Sequence, residues 1–376
     1  MKTRLRGITW DHPRAYEPLV SCSAVWAQQS GVQIDWARRS LERFESQPVR
    51  ELAQRYDLIV LDHPHIGQAV AEACLARLDL PERVGALAEI AAGAIGHALD
   101  CYRWHGMQWA LPVDLAAQVQ AWRPDLLSAP PDNWSALLEV ARFGRVVVPL
   151  KPPHALMTFC TLAANLNTPC STGSENFIDG DAGAVVYSRL SELIALLDPS
   201  CFSLDPISAL ECLAEENSHV ACAPFIFGYV PYAREGFRRC RLRFGDIPVI
   251  GNDGPIGSVL GGTGLAVSAR SLHLEAAMDF AYWVASGAIQ ASIYAEHGGQ
   301  PAHAAAWASD RVNEPVYQFY RDTRRTLAGA WVRPRHSGYM TFQIEASMLL
   351  TEALRWRAPA ASVLNELNNA FGQLRK

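Results

Sequence analysis

The 376-residue chain has no surplus of positive charge: 33 lysines and arginines stand against 38 aspartates and glutamates, a formal net charge of -5. A nucleic-acid partner needs a basic footprint. The one basic cluster, Arg234 to Arg243, is interrupted by aromatic and apolar residues and suits an amphipathic surface strand or helix end. Nor does any apolar run reach the roughly 18 residues of a membrane span. The longest, Leu87 to Leu99, contains Glu89 and His97 and reads as a packed helix. An export signal needs an apolar core of about 7–15 residues. Here Lys2, Arg4 and Arg6 are followed at once by Ile8-Thr9-Trp10, which reads as a strand. Leu19-Val20-Ser21-Cys22 spells a lipoprotein box, but the polar stretch from Asp11 to Glu17 in front of it is no such core.

The motifs of common enzyme classes are also missing. Nine cysteines occur without a Cys-x-x-Cys pair, which suits reduced, buried thiols better than a disulfide framework or a cysteine metal site. There is no Gly-x-Ser-x-Gly elbow. The glycine-rich stretch Gly251 to Gly264 lacks the Gly-Lys-Ser/Thr ending of a phosphate loop, and suits a crossing segment or a close backbone approach to a ligand. No cofactor and no metal are expected.

What is present is length and an α/β pattern. The chain is longer than one hydrophobic core usually organises, which predicts two domains. Leu5 to Trp10 reads as a first strand, Pro18 to about Gln29 as a helix, and Val32 to Trp36 as an edge strand. Arg39 to Gln54 reads as a second helix and Asp57 to Leu61 as a buried central strand. With spatial order two-one-three, the winding reverses between the first and third strands, where α/β sheets bind ligands. Both strand ends carry the same tripeptide, Asp11-His12-Pro13 and Asp62-His63-Pro64. Further on, Trp109 to Asp114 precedes a helix predicted through about Trp122, and Asp132-Asn133-Trp134 caps another. Val146 to Val148 reads as a buried strand ending in Lys151-Pro152-Pro153-His154. Val220 to Phe227 reads as another, ending in Gly228-Tyr229.

Acid beside imidazole suits ligand hydrogen bonding, a purely structural turn, or metal-assisted hydrolysis through His12, His63 and their aspartates. Adjacent residues on an extended segment point to opposite faces, which weakens the metal reading. Trp26, Trp122, Trp134 and Trp283 fall in helical patterns and read as core. Trp10, Tyr229, Tyr232 and Trp331 follow strands or sit in loops, where packing and stacking on a ligand weigh equally.

Two segments carry a family resemblance. From Gly261 to Trp307, Gly-Gly-Thr-Gly-Leu-Ala-Val-Ser is followed by Glu-Ala-Ala-Met-Asp-Phe-Ala-Tyr-Trp-Val-Ala-Ser and then Gly-Gly-Gln-Pro. The other comprises Ala110-Leu111-Pro112-Val113-Asp114, Arg123-Pro124-Asp125-Leu126-Leu127 and the helix start at Pro131 to Trp134. In these the chain resembles the family-1 extracellular solute-binding proteins of ABC importers, the maltose-binding-protein-like group of carbohydrate uptake. The resemblance implies a type II periplasmic-binding-protein fold, two doubly wound α/β lobes joined by a hinge with crossings near 110–113, 251–262 and 303–312. The lobes would be 1–110 plus 258–305 and 111–257 plus 306–376. It further implies a non-enzymatic monomer that captures a small polar ligand by hinge closure and docks on permease subunits, without inserting in the membrane. The implied location is periplasmic. The missing export signal leaves a cytoplasmic ligand sensor on the same scaffold as the alternative.

The expected ligand-binding residues are Trp10, Asp11, His12, Arg14, Asp62, His63, Asp114, His154, Tyr229, Tyr232 and Trp331. Aromatics with acids suit a sugar. His12, Arg14, His63, Lys151, His154, Arg333 and Arg335 suit a carboxylate or another anion.

Overall fold

A computed structural model describes residues 3–171 and 176–373, so the first two residues of the basic start lie outside the described residues. The first three strands are β1 (Arg4–Trp10), β2 (Gln33–Arg39) and β3 (Leu58–Leu61). They lie in the expected order β2-β1-β3, all parallel, with β2 at the edge and β3 wholly buried. A small hairpin follows, β4 (Arg103–Trp104) and β5 (Met107–Gln108), turning through His105 and Gly106 at positive φ.

The chain then enters β6 (Leu111–Trp122), a strand of twelve residues that are all buried. The first half of β6 pairs with β9 (Leu260–Val267), which returns antiparallel beside β3. Its second half pairs with β7 (Cys222–Phe227) on one side and β8 (Arg243–Gly245) on the other. One sheet therefore runs β2-β1-β3-β9-β6-β7, with β8 attached to β6. One buried cluster packs Leu5, Leu19 and Leu58 against Phe280 of the helix Leu274–Ala285. The larger one runs from Ile8 and Ile59 through β6 and β9 to the helices His154–Asn165 and Tyr339–Arg355.

Four expected elements come out differently, each for a local reason. The first helix is Pro13–Ser30, not one opened by Pro18. His12 caps it, its Nδ1 accepting from Arg14 N at 3.1 Å, and Pro13 takes the first helical position, where no backbone donor is needed. Pro18 lies inside and removes only the donor that would meet the Arg14 carbonyl. The helix predicted over Arg39 to Gln54 is two short ones, Leu41–Ser46 and Val49–Ala53, split at Gln47-Pro48.

The helix expected through Trp122 is instead strand β6. Its alanines and glutamines favour helix locally, but neighbouring strands on both sides override that preference. The buried Gln118 is satisfied by Thr158 and Thr161 of the adjoining helix, and Gln120 by the Pro131 carbonyl. Val146 to Val148 are buried as expected, but only a single parallel bridge, Val146 to Cys222, forms before Pro149 ends the run.

The β6–β9 crossing depends on Gly262. Its φ is +96°, and a Cβ there would lie 2.4 Å from the Asp114 carbonyl oxygen and 2.8 Å from Leu115 Cα. Gly262→Ala is expected to lower the unfolding free energy by about 2–4 kcal/mol. Gly144→Ala, where φ is +66° and a Cβ meets open space, should cost about 1 kcal/mol. Urea unfolding of the two variants measures the difference.

Candidate functional site

The ends of β1 and β3 open on a cleft walled by side chains from several elements. Trp10, Arg14, Phe44, Glu45, Asp62 and His65, from the first 65 residues, line it. So do His154, Met157, Phe227, Tyr229, Arg333 and Gln343 from later in the chain. Gly261, Gly262 and Thr263 of β9 form part of the wall.

Two buried ion pairs frame the cleft. Arg14 Nε donates to Asp114 Oδ2 at 2.9 Å, its Nη2 contacts Asp114 Oδ1, and its Nη1 donates to the Gly228 carbonyl at 2.6 Å. Its guanidinium also lies over the Tyr229 ring, 4.7 Å from the centroid. On the other side, Arg333 Nη2 meets Asp62 Oδ2 while its Nη1 donates to Gln343 Oε1 at 3.1 Å. His63 N donates to the other Asp62 oxygen at 2.8 Å. Burial works against the Asp62 charge, but Arg333 and His63 outweigh it and hold the carboxyl below the ordinary carboxylate range. Each guanidinium is therefore already matched by a carboxylate before any ligand arrives.

The histidines contribute no charge at neutral pH. Burial pushes His63, His65 and His154 down to about 4, and burial with Arg14 and Arg238 nearby pushes His12 to about 3. Neutral His12 is what its capping role requires, since Nδ1 must accept. Burial raises the Glu45 carboxyl to about 8 against the pull of Arg333. Trp10 Nε1, Thr263 Oγ1 and His154 Nδ1 are buried without a protein partner. The cleft thus offers aromatic faces and unpaired hydrogen-bonding atoms in a setting of balanced charge.

Of the expected site residues, Trp10, Arg14, Asp62, His154 and Tyr229 line this cleft. His12 stands behind it, its ring edge-on to Tyr229 at 4.8 Å, while His63 and Asp114 hold their partners from the second layer. The structure does not bring the other three there. Asp11 is exposed and pairs with Arg38 at 3.0 Å. Tyr232 is fully buried, its hydroxyl donating to Glu211 at 2.6 Å. Trp331 lines a separate groove beside Gly257 and Arg335. Of the basic residues expected to suit an anion, Lys151 is exposed off the cleft and Arg335 donates to the carbonyls of Asp100 and Arg103.

Sequence reasoning missed Phe44, Glu45, His65, Phe227 and Gln343. The signal for His65 was present in the run Asp62-His63-Pro64-His65, and that for Gly261 to Thr263 in the glycine-rich stretch. Phe44 and Glu45 reach the cleft only because Pro48 ends their helix early, and no pattern in the sequence marks them.

No family model and no curated protein matches this sequence. Among solved structures, the chain is similar to maltose-bound MalE3 of T. maritima, with TM-score 0.82, 14% identity and 99% of each chain covered. It is similar to an ABC transporter solute-binding protein of Thermotoga lettingae TMO bound with alpha-D-tagatose, at 0.84, 14% and 100% of each chain. A third, from Agrobacterium radiobacter K84 in complex with ribitol, gives 0.78 and 16%, covering 99% of this chain and 98% of that one. The likeness establishes the fold: a two-lobed, type II periplasmic-binding-protein architecture.

Two outcomes follow from the buried charges. Asp114→Asn removes the counter-charge of a buried guanidinium and should cost about 3–5 kcal/mol in urea unfolding, most of it recovered by pairing Asp114→Leu with Arg14→Met. The histidines are depressed in the folded state, so it binds fewer protons than the unfolded chain. Their contribution is complete above about pH 6.5 and is lost as pH falls through about 4. The urea midpoint should drop over that window, and less steeply in His63→Gln.

Proposed function

We propose that this protein captures a small, uncharged polyhydroxy solute between its lobes and hands it to an ABC permease without chemical turnover. The observation that carries this reading is the pairing of Arg14 with Asp114 and of Arg333 with Asp62. With both guanidiniums among the described cleft-lining residues matched, a carboxylate ligand finds no free guanidinium there to bind. A sugar or polyol finds the faces of Trp10 and Tyr229 and the unpaired atoms of Trp10, Thr263 and His154. The same pairing takes Asp62 and Asp114 out of play for hydrolysis. Among the described residues, no three His, Cys, Asp or Glu side chains gather where they could hold a metal ion.

The solved structures of this fold support the reading by what they hold: maltose, alpha-D-tagatose and ribitol. On this reading the lobes are residues 1–110 plus 258–305 and 111–257 plus 306–376, and β6 and β9 carry two of the crossings between them. The partners are the solute and the permease subunits. The working form is a monomer, and the place of work is the periplasm. Capture is a population shift, so the solute must favour the closed arrangement through contacts it makes only there.

Thermal unfolding with ribitol, D-tagatose and maltose tests this directly. A saturable rise in Tm with one of them, and its recovery unchanged, is expected. No rise with any uncharged sugar or polyol sinks the reading. Trp10→Ala should weaken binding by about tenfold or more through loss of a stacked face. Trp331→Ala, in the other groove, should leave the affinity within about twofold.

A further inference from the structure

Four arginines are buried among the described residues, and three of them meet an aspartate: Arg14 with Asp114, Arg123 with Asp125 and Arg333 with Asp62. Arg39, at the end of β2 and only 6% exposed, meets none. Its Nη2 donates to the Val60 carbonyl at 3.0 Å and its Nη1 reaches the Arg43 carbonyl at 3.4 Å, while its Nε is buried without a partner. A guanidinium has five N–H donors, so these two carbonyls leave three of them unused. Phe44 covers one face, its ring centroid 5.1 Å from the guanidinium. Backbone carbonyls supply partial charge but no counter-ion, and a buried cation without one is costly. Burial accordingly pushes the Arg39 guanidinium down to about 10.

Arg39 lines a pocket between the end of β2 and the short helices Leu41–Ser46 and Val49–Ala53, and this pocket shares no lining residue with the cleft. It encloses about 230 Å³. A water's share of liquid volume is about 30 Å³, so a small anion and a few waters fit. Arg38, Arg43 and Arg55 line it too, against Glu51 as the only acid. Arg38 is taken by Asp11, and Glu51 accepts from Gln47 at 3.4 Å. Arg43 and Arg55 are exposed, and neither forms an ion pair among the described residues. We propose that this pocket is a second binding site, for a phosphate-class oxyanion held by Arg39, Arg43 and Arg55. The anion supplies the counter-charge that Arg39 lacks and acceptor oxygens for its unused donors. A tetrahedral oxyanion points oxygens in several directions and can carry more than one negative charge. That suits three guanidiniums arriving from different elements better than a single carboxylate does.

Calorimetric titration of the full chain with inorganic phosphate, at an ionic strength held constant with sodium chloride, should show one saturable site. Tm should rise by about 3 °C at a phosphate concentration about a hundred times the measured Kd. Joint replacement Arg43→Ala and Arg55→Ala, both at exposed positions, should keep the phosphate-free Tm within about 1 °C of wild type and weaken phosphate binding by about tenfold or more. Arg39→Met keeps an unbranched apolar stem and removes an unmatched charge. Its phosphate-free Tm should fall by no more than about 2 °C, and the phosphate-dependent rise should disappear.

No saturable phosphate binding, a rise in Tm as large with chloride as with phosphate, or phosphate binding left intact in either variant overturns the proposal. The arginines would then be a general positive surface, screened by any salt. If Arg39→Met does not fold, the Arg43 and Arg55 replacement decides by itself. Phosphate groups also head lipids, so flotation is run with phosphatidylcholine vesicles with and without phosphatidic acid. Dissolved phosphate is expected to bind and neither vesicle to carry the protein. Flotation that needs phosphatidic acid, without any response to dissolved phosphate, overturns the enclosed site in favour of a membrane contact. No sugar or polyol is present in these measurements, so their outcome stands apart from that of the capture reading.

Discussion

The Arg14 guanidinium joins three parts of the chain that lie far apart in sequence. It begins on the first turn of the helix Pro13–Ser30, reaches Asp114 at the start of the crossing strand β6, and ends on the carbonyl of Gly228 just past β7. Each partner would be costly alone, because a buried charge without its counter-ion loses several kcal/mol of solvation. Together they fix where the first helix points relative to β6 and β7. That in turn places Trp10 and Tyr229, between which the guanidinium lies, on the cleft wall. The Asp-His-Pro motif is the local device that makes this possible, since His12 caps the helix and Pro13 starts it one residue before Arg14.

The second copy of the motif does a different job with the same letters. Asp62 caps a single 3-10 turn, takes the His63 backbone donor and faces Arg333, which comes from more than two hundred residues later. Its histidine is fully buried and turned away from the cleft, whereas the next one, His65, reaches it. The repeated tripeptide thus marks two strand ends at one switch point, but the side chains in and beside it that line the cleft are Trp10, Arg14, Asp62 and His65 rather than the two matched histidines.

That difference shows what was legible in the sequence. Strand order, the switch point and the fold were readable, because apolar runs and turn residues act locally and the two tripeptides sit on neighbouring strands. The identity of β6 was not, since Leu115 to Trp122 carries helix-favouring alanines and becomes a strand only through neighbours from residues 222–267. Asp114 was legible as a site residue, but its partner Arg14 is a hundred positions away, and nothing in either segment specifies the pairing. Tyr232 and Trp331 were placed by the rule that aromatics after strands face ligands. Packing against Phe237 and the Glu211 hydrogen bond claimed the first, and the separate groove beside Gly257 and Arg335 the second.

On the proposed capture reading, the balance of charge in the cleft also bears on how capture would be driven. A site that held its ligand through free guanidiniums would bind anions strongly in any lobe arrangement, because Coulomb attraction falls off slowly with distance. With Arg14 and Arg333 neutralised, what remains are short-range terms: aromatic contact and the unpaired atoms Trp10 Nε1, Thr263 Oγ1 and His154 Nδ1. Leaving such atoms buried and unpaired costs about 1–3 kcal/mol each. They come from β1, β9 and the helix His154–Asn165, so a solute that paired with all three would bridge three elements. On the proposed capture reading, such a solute would favour a closed form only as far as those contacts form there and not in an open one.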